Sequence, residues 1–247
     1  MKDINKEVIN LWNSTDKKLL NNRHPFLLND IGKNKMIFIG INPSFSEKGF
    51  IKSFKELEDE PLDEDIARAF NKLKESNYDI NNFFSYSEDS TFDMKLSLKV
   101  EEYTKEHYPY FNRFKEIAKS VDMEWDWDSI DLFYLRETKQ KNLAKYVFNK
   151  KLELNVFGQA QFDITKKVVE KIEPKIIVVA NALASNLFKN EYKIKFNETY
   201  GCYFTEINNQ MIPTFLSSML SGQRALDNFS YERLIWHIKK VIVKLKL

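Results

Sequence analysis

The stretch from Ile164 to Ala180 limits the fold more than any other part of this chain. Ile164, Val168 and Ile172 recur at the spacing of one helix face. Pro174 stops that helix, because it brings no N–H and its ring clashes with the preceding turn. Lys175-Ile176-Ile177-Val178-Val179-Ala180 follows directly as a short apolar run. Such a run reads as a strand buried on both faces, which a parallel sheet covered by helices requires.

The same alternation recurs along the chain. Ile4, Val8, Leu11 and Trp12 mark an opening helix. Lys35-Met36-Ile37-Phe38-Ile39-Gly40 reads as a buried strand entering a Gly and Pro loop. Leu62, Ile66, Phe70 and Leu73 predict a helix after Pro61. The polar stretch from Glu75 to Thr91 predicts a long loop. Phe111, Phe114, Ile117 and Val121 give another helix face, and Ser129 to Leu135 a second buried strand. Ala182 to Phe188 predicts a short helix, and residues 192–207 are compatible with a hairpin. Met211 to Leu216 predicts the last strand, running into a Ser-rich loop. Ser230 is placed to cap a final helix, with Glu232 in its first turn and Leu234, Ile238, Ile242 and Leu245 turned inward.

Strands alternating with helices predict an α/β fold: three layers, α/β/α, around a central, mainly parallel four-stranded sheet. No internal repeat or low-complexity linker divides the 247 residues. They read as a single domain, 1–247, with a helical and loop insertion near 55–110. In such sheets ligands bind beyond the carboxyl ends of the strands. The loops in question are Gly40 to Ser44 and Ser217 to Gln223.

Composition narrows the function classes only at their edges. With 43% hydrophobic residues the chain can bury a substantial core, and global disorder is excluded. The 38 basic and 36 acidic side chains leave a net charge of +2, unlike a basic nucleic-acid coat. A local patch would still suffice to contact a few phosphates. The single cysteine, Cys202, excludes an internal disulfide and any metal or iron–sulfur site built from four cysteines. Met1 to Lys6 lacks the apolar run of a signal peptide, and no stretch is apolar enough to span a bilayer. A cytoplasmic protein that does not enter membranes is expected.

Gly40-Ile41-Asn42-Pro43-Ser44 turns the chain after a buried strand and presents an amide at its tip. By itself it is a weak motif, read in preference as a turn in which Asn42 bonds its own backbone. The second loop runs Ser218-Met219-Leu220-Ser221-Gly222-Gln223-Arg224-Ala225-Leu226-Asp227-Asn228-Phe229-Ser230. Taken together the two loops resemble the uracil-DNA glycosylase superfamily. Gly40, Asn42 and Pro43 match its Gly-x-Asn/Asp-Pro loop, closest to the mismatch-specific branch. Ser218, Leu220, Ser221, Arg224, Phe229 and Ser230 match its Ser-x-Leu-Ser core with the following Arg and Phe-Ser. The likeness spans roughly residues 30–240, and its specific part is the two loops.

The resemblance implies a metal-free, cofactor-free enzyme that flips a base out of DNA and hydrolyses its glycosidic bond. Asn42 and Ser218 are the implied catalytic residues, Asn42 holding the attacking water through its side-chain carbonyl. Gly40, Ile41, Pro43, Ser44, Phe50, Phe54 and Asp131 would line the base site. Ser44 stands where strict uracil enzymes of the family carry a bulky aromatic, so a C5 substituent meets less steric rejection. Phe50 and Phe54 would stack on the base, or else pack in a core. Asp131, in Asp131-Leu132-Phe133-Tyr134-Leu135-Arg136, stands where relatives carry Asn before a similarly spaced Arg. An ionised Asp accepts hydrogen bonds but cannot donate, whereas uracil recognition uses both. This implies a protonated Asp131 or a different base. Ser217, Leu220, Ser221 and Arg224 would contact DNA, Leu220 as the apolar wedge that fills the vacated stack.

Leu216 departs from the pattern, since active relatives place His or Asn there to stabilise the departing base. One such donor is worth about 2.7–4 kcal/mol in the transition state. The implied partner is single-stranded or mismatched duplex DNA, bound by a monomer. The alternative within the same fold is a catalytically weak or inactive DNA- or nucleotide-binding protein. A small-molecule enzyme is disfavoured by the lack of a Gly-rich phosphate loop. The histidines His24, His107 and His237 fall at no motif position.

Overall fold

The computed structural model describes residues 1–16, 20, 25–44, 46–84, 91–151, 153–222 and 224–247. In chain order the elements are α1 (Lys2–Ser14), β1 (Met36–Gly40), α2 (Glu47–Glu56), α3 (Glu64–Glu75), α4 (Ile80–Phe83), α5 (Met94–His107), α6 (Asn112–Ser120), β2 (Trp127–Asp131), α7 (Gln140–Val147), α8 (Val156–Ile172), β3 (Ile176–Ala180), α9 (Ala182–Glu191), β4 (Lys195–Asn197), β5 (Cys202–Ile207), β6 (Gln210–Ser217) and α10 (Asn228–Leu245). Two compact units form. The first comprises Met1–Asn29, Asn42–Tyr108 and Tyr134–Gln161, and the second Asp30–Ile41, Pro109–Phe133 and Phe162–Leu247. The stretch expected as an insertion, 55–110, falls mostly within the middle segment of the first unit.

The second unit contains the sheet. Among the described residues it has six strands in the order β2-β1-β3-β6-β5-β4, not the four expected. β2, β1, β3 and β6 pair in parallel, whereas β5 pairs antiparallel with both β6 and β4. The two added strands are the hairpin region 192–207. Its polar edge strand β4 is exposed, so hydrophobic patterning marks it weakly. The Thr205 and Thr214 hydroxyls share a buried hydrogen bond of 2.7 Å between β5 and β6.

Both faces of the two central parallel strands, β1 and β3, are apolar and buried. On one, Met36 and Phe38 of β1, Ile176 and Val178 of β3 and Phe215 of β6 pack with Phe114 and Ile117 of α6 and with Tyr231, Ile238 and Val241 of α10. The alternating set Ile37, Ile39, Ile177 and Val179 points the other way and is equally buried. Helix α9 packs on β3 and β6. Asn181 accepts from the Leu183 and Ala184 amides and so caps α9 at the end of β3.

The expected strand from Ser129 to Leu135 is found as Trp127–Asp131. Beyond Asp131 the chain stays buried but leaves the ladder. The Leu132 and Phe133 amides donate to the Gly40 and Ile41 carbonyls. Those of Tyr134 and Leu135 donate instead to the Gln161 side chain. Alternating or continuous apolar residues cannot distinguish a ladder from backbone satisfied by a buried amide.

The first unit is helical among its described elements. Phe54 and Leu57 pack with Phe70 and Leu73 of α3, Ile80 and Phe83 of α4, and Leu96 and Val100 of α5. The expected loop from Glu75 to Thr91 therefore holds a short helix, α4, whose N-cap is Asp79, accepting from the Asn82 amide. Residues 85–90 of that expectation lie outside the described ones. The final helix is capped by Asp227 and not by Ser230 as expected. The Asp227 carboxylate accepts from the Ser230 amide at 2.9 Å and from its hydroxyl at 2.6 Å, and these bonds hold its pKa below the ordinary value. No helix among the described residues is long and apolar enough to cross a membrane.

Candidate functional site

The carboxyl ends of the four parallel strands lie along one edge of the second unit. Gly40 is opposite Asp131 in the β1–β2 register, and Ala180 is opposite Ser217 in the β3–β6 register. The structure thus brings Gly40, Asp131 and Ser217 to one edge, where loops leave the sheet. Leu216, half-buried, sits one residue back, opposite Val179.

Gly40 is needed there for space. It has no positive φ, so the left-handed freedom of glycine is not what the turn uses. A Cβ at Gly40 would fall 2.1 Å from Asp131 Oδ1, because the Asp131 carboxylate lies across the glycine's backbone. Gly40→Ala is expected to cost only about 1 kcal/mol, since the obstructing atom is the end of a side chain that can turn away. Its larger effect is to expel that carboxylate. Urea unfolding of Gly40→Ala, Asp131→Ala and the double variant checks this. A coupling that removes most of the Gly40→Ala penalty is the expected result, and strict additivity is the contrary one.

Asn42 and Pro43 belong to the first unit, where the chain from Leu135 to Glu137 holds them. The Asn42 Nδ2 donates to the carbonyls of Pro43 at 3.0 Å, Leu135 at 3.1 Å and Glu137 at 2.6 Å. The Glu137 amide returns a bond to the Pro43 carbonyl at 3.0 Å. Three acceptors around one end of an amide fix which end is nitrogen. No described residue donates to Asn42 Oδ1. The local-turn reading of Asn42 is therefore met only in part, because two of its three partners lie more than ninety residues away in sequence. Ser44 is exposed and Ile41 buried.

The aromatic candidates separate. Phe54 is fully buried, with its ring edge-on to Phe83, so the expected stacking role is corrected to core packing. Phe50 is half-buried against Phe84, and the Arg136 guanidinium lies 4.8 Å from its ring centre. That face is covered by the buried Arg136 guanidinium, which is held in place and cannot swing away as an exposed cation could, and is closed to a base. Neither outcome is visible in spacing alone, since Phe50 and Phe54 both sit on the inward side of α2.

The second loop is anchored from several sides. The Leu226 amide donates to the Met219 carbonyl at 2.8 Å, and Gly222 adopts φ +92°, a conformation that favours glycine. Arg113 donates to the carbonyls of Leu220 and Leu226 and to Asn228 Oδ1. Its guanidinium also stacks on the Tyr231 ring, 4.7 Å from the centre. Tyr231 in turn donates to the Arg113 carbonyl at 2.8 Å, and burial raises its pKa. Arg113 was missed in the sequence, where it is an ordinary polar position of a helix, yet it holds the loop's shape.

Two roles expected of this loop are overturned. Leu220 is 0% exposed and packs with Tyr231, Ile238 and Phe114, so it is a core side chain and not a projecting wedge. Ser221 gives its one hydroxyl hydrogen to the Tyr110 carbonyl at 2.6 Å, leaving none for a phosphate. Ser218 and Arg224 are exposed, and Ser217 is half-buried with its carbonyl accepting from the Ser185 hydroxyl at 2.9 Å. Gln223 and His24 lie outside the described residues. His107 stacks on Tyr103, and His237 meets the Tyr200 carbonyl at 3.2 Å. Burial pushes the Cys202 thiol up to about 11, so it stays protonated and unreactive near neutrality.

Among the described residues no three His, Cys, Asp or Glu side chains gather where they could hold a metal ion. Compared with models of known protein families and with curated proteins, the chain matches none, and the roles of its residues rest on their own geometry and chemistry.

Proposed function

We propose that this protein excises an altered base from DNA by hydrolysis of the N-glycosidic bond, as a divergent protein of the uracil-DNA glycosylase type. The observation that carries the reading is the Asn42 amide. With Nδ2 bound to three backbone carbonyls, Oδ1 is a fixed acceptor. Such an acceptor can orient a water for attack on a sugar carbon, although it is too weak a base to take the proton early. Its contribution is positional. Taken by itself, the second unit carries the Asp131 carboxylate across Gly40, an acceptor of the kind that meets a donor on a base edge. In the same unit Ser218 and Arg224 are exposed, and both are donors of the kind that contact phosphates. The parallel order β2-β1-β3-β6, with its central strands β1 and β3 apolar on both faces, is consistent with a three-layer architecture of that type.

The test uses single-stranded and mismatched duplex oligonucleotides carrying uracil, hypoxanthine or thymine, followed by alkaline cleavage of abasic sites. Product from at least one base is expected, and Asn42→Ala should lower its rate about 100-fold. A wild-type protein that releases none of these bases overturns the reading, as does a folded Asn42→Ala variant of unchanged rate. One observation favours a second reading, binding without excision. Leu216 offers no hydrogen-bond donor at the carboxyl end of β6, where a departing base anion would need one. Retained DNA affinity with no product is the outcome that selects it.

A further inference from the structure

The outer face of α10 carries a pattern that the site leaves unused. Phe229, Trp236 and Val243 are 75%, 60% and 76% exposed. They recur every seven residues and so fall on one line along the helix, with successive members roughly 10 Å apart. The inward face is already filled by Tyr231, Ile238 and Val241, so this line is additional to the core. Arg233, Lys239 and Lys240 are exposed beside it. Phe229, Glu232, Arg233 and Trp236 form a shallow depression, and the Lys240 ammonium lies 5.6 Å from the Trp236 ring centre. From Asn228 to Leu247 the chain holds five basic side chains and one acidic one, whereas acidic residues outnumber basic ones over the rest.

We propose that this face of α10 binds single-stranded DNA, its bases stacking on Phe229 and Trp236 and its phosphates meeting Arg233, Lys239 and Lys240. The choice of polymer rests on the glycosylase reading, whereas the surface stands on its own residues. Aromatic faces interleaved with cations are what a single strand requires, since every base has a π-face and every linkage a charge. Charge decides against a second copy of the chain, because two such helices would set cations against cations. A bilayer is also a poorer fit. The apolar line is one residue wide and is interrupted by Glu232, whereas an interfacial helix buries a broad apolar face.

Fluorescence anisotropy of a labelled fifteen-residue oligothymidylate, measured at low and moderate salt, tests the proposal. Binding that weakens with salt is expected. Trp236→Ala and Phe229→Ala should each weaken it about tenfold. Trp236→Phe should recover most of the loss, and Arg233→Ala/Lys240→Ala should flatten the salt dependence. Both aromatic side chains are largely exposed, so circular dichroism should show the variants folded. Affinity unchanged in the aromatic variants overturns the proposal. So does loss confined to binding of phosphatidylserine vesicles, which assigns the face to a membrane, or a change confined to oligomeric state. Failure of base excision, with the effects of the aromatic and basic variants on oligothymidylate affinity intact, counts against the enzyme and not against the surface.

Discussion

Replacing Arg136 by alanine should lower stability by about 3–5 kcal/mol, the range for removing one partner of a buried ion pair. Among the described residues Arg136 is the largest fully buried side chain, 2% exposed, and its guanidinium is paired with Glu101. Its Nε donates to the Pro25 carbonyl at 3.2 Å, and Phe26, Phe50 and Phe84 approach it within 5.0, 4.8 and 5.8 Å of their ring centres. The alanine variant would leave the Glu101 carboxylate without this cation and open a cavity among three aromatic rings. Two separable effects are then mixed, charge and volume. Arg136→Met alone retains the volume and isolates the charge. Arg136→Met/Glu101→Leu removes both charges and should recover most of the loss, since a buried pair replaced by apolar groups is often near neutral. Guanidinium unfolding midpoints of the four proteins decide. A double variant as unstable as Arg136→Ala would show that the ion pair is not the main contribution.

Truncating Leu220 to alanine is the second large effect, about 2–5 kcal/mol, through lost burial and the cavity left behind. Leu220 lies in the cluster that joins β1, β3 and β6 to α6 and α10, and Arg113 binds its carbonyl. Leu220→Met, nearly equal in volume, should cost less than about 1.5 kcal/mol. A wedge that enters DNA would behave in the opposite way. Its truncation would leave stability within about 0.5 kcal/mol and weaken DNA binding. Urea unfolding beside oligonucleotide affinity separates the two, and only the second pattern would restore the wedge.

The two substitutions also mark where sequence patterning succeeds. Ile164, Val168 and Ile172 before Pro174 have one arrangement open to them, a helix that ends there, and α8 ends at Ile172. The apolar runs at Met36–Gly40 and Ile176–Ala180 are too short for helices and too uniformly apolar for an exposed face, and both are buried strands. Repeated local spacing is enough for such elements, because each residue's environment follows from its neighbours in the chain.

The candidate site was legible to a lesser depth. Gly40 was conspicuous, but its reason is the Asp131 carboxylate across the strand pairing, not its own backbone freedom. Asn42 was conspicuous as well, whereas its partners Leu135 and Glu137 are backbone carbonyls that no side-chain pattern can announce. Leu220 and Phe54 looked available because they stand among polar residues. Their burial depends on helices distant in sequence.

The sequence by itself determined the alternation of helices and strands, the parallel pairing this demands, and the location of the loops at the strand ends. Local periodicity and the chemistry of Gly and Pro suffice for that. Tertiary structure alone decided which members of those loops face outward. Leu220 and Ser221 turn to the core and to the Tyr110 carbonyl, whereas Ser218 and Arg224 remain exposed. The reason is physical: burial and hydrogen-bond satisfaction are properties of neighbours in space, and a chain order does not contain them.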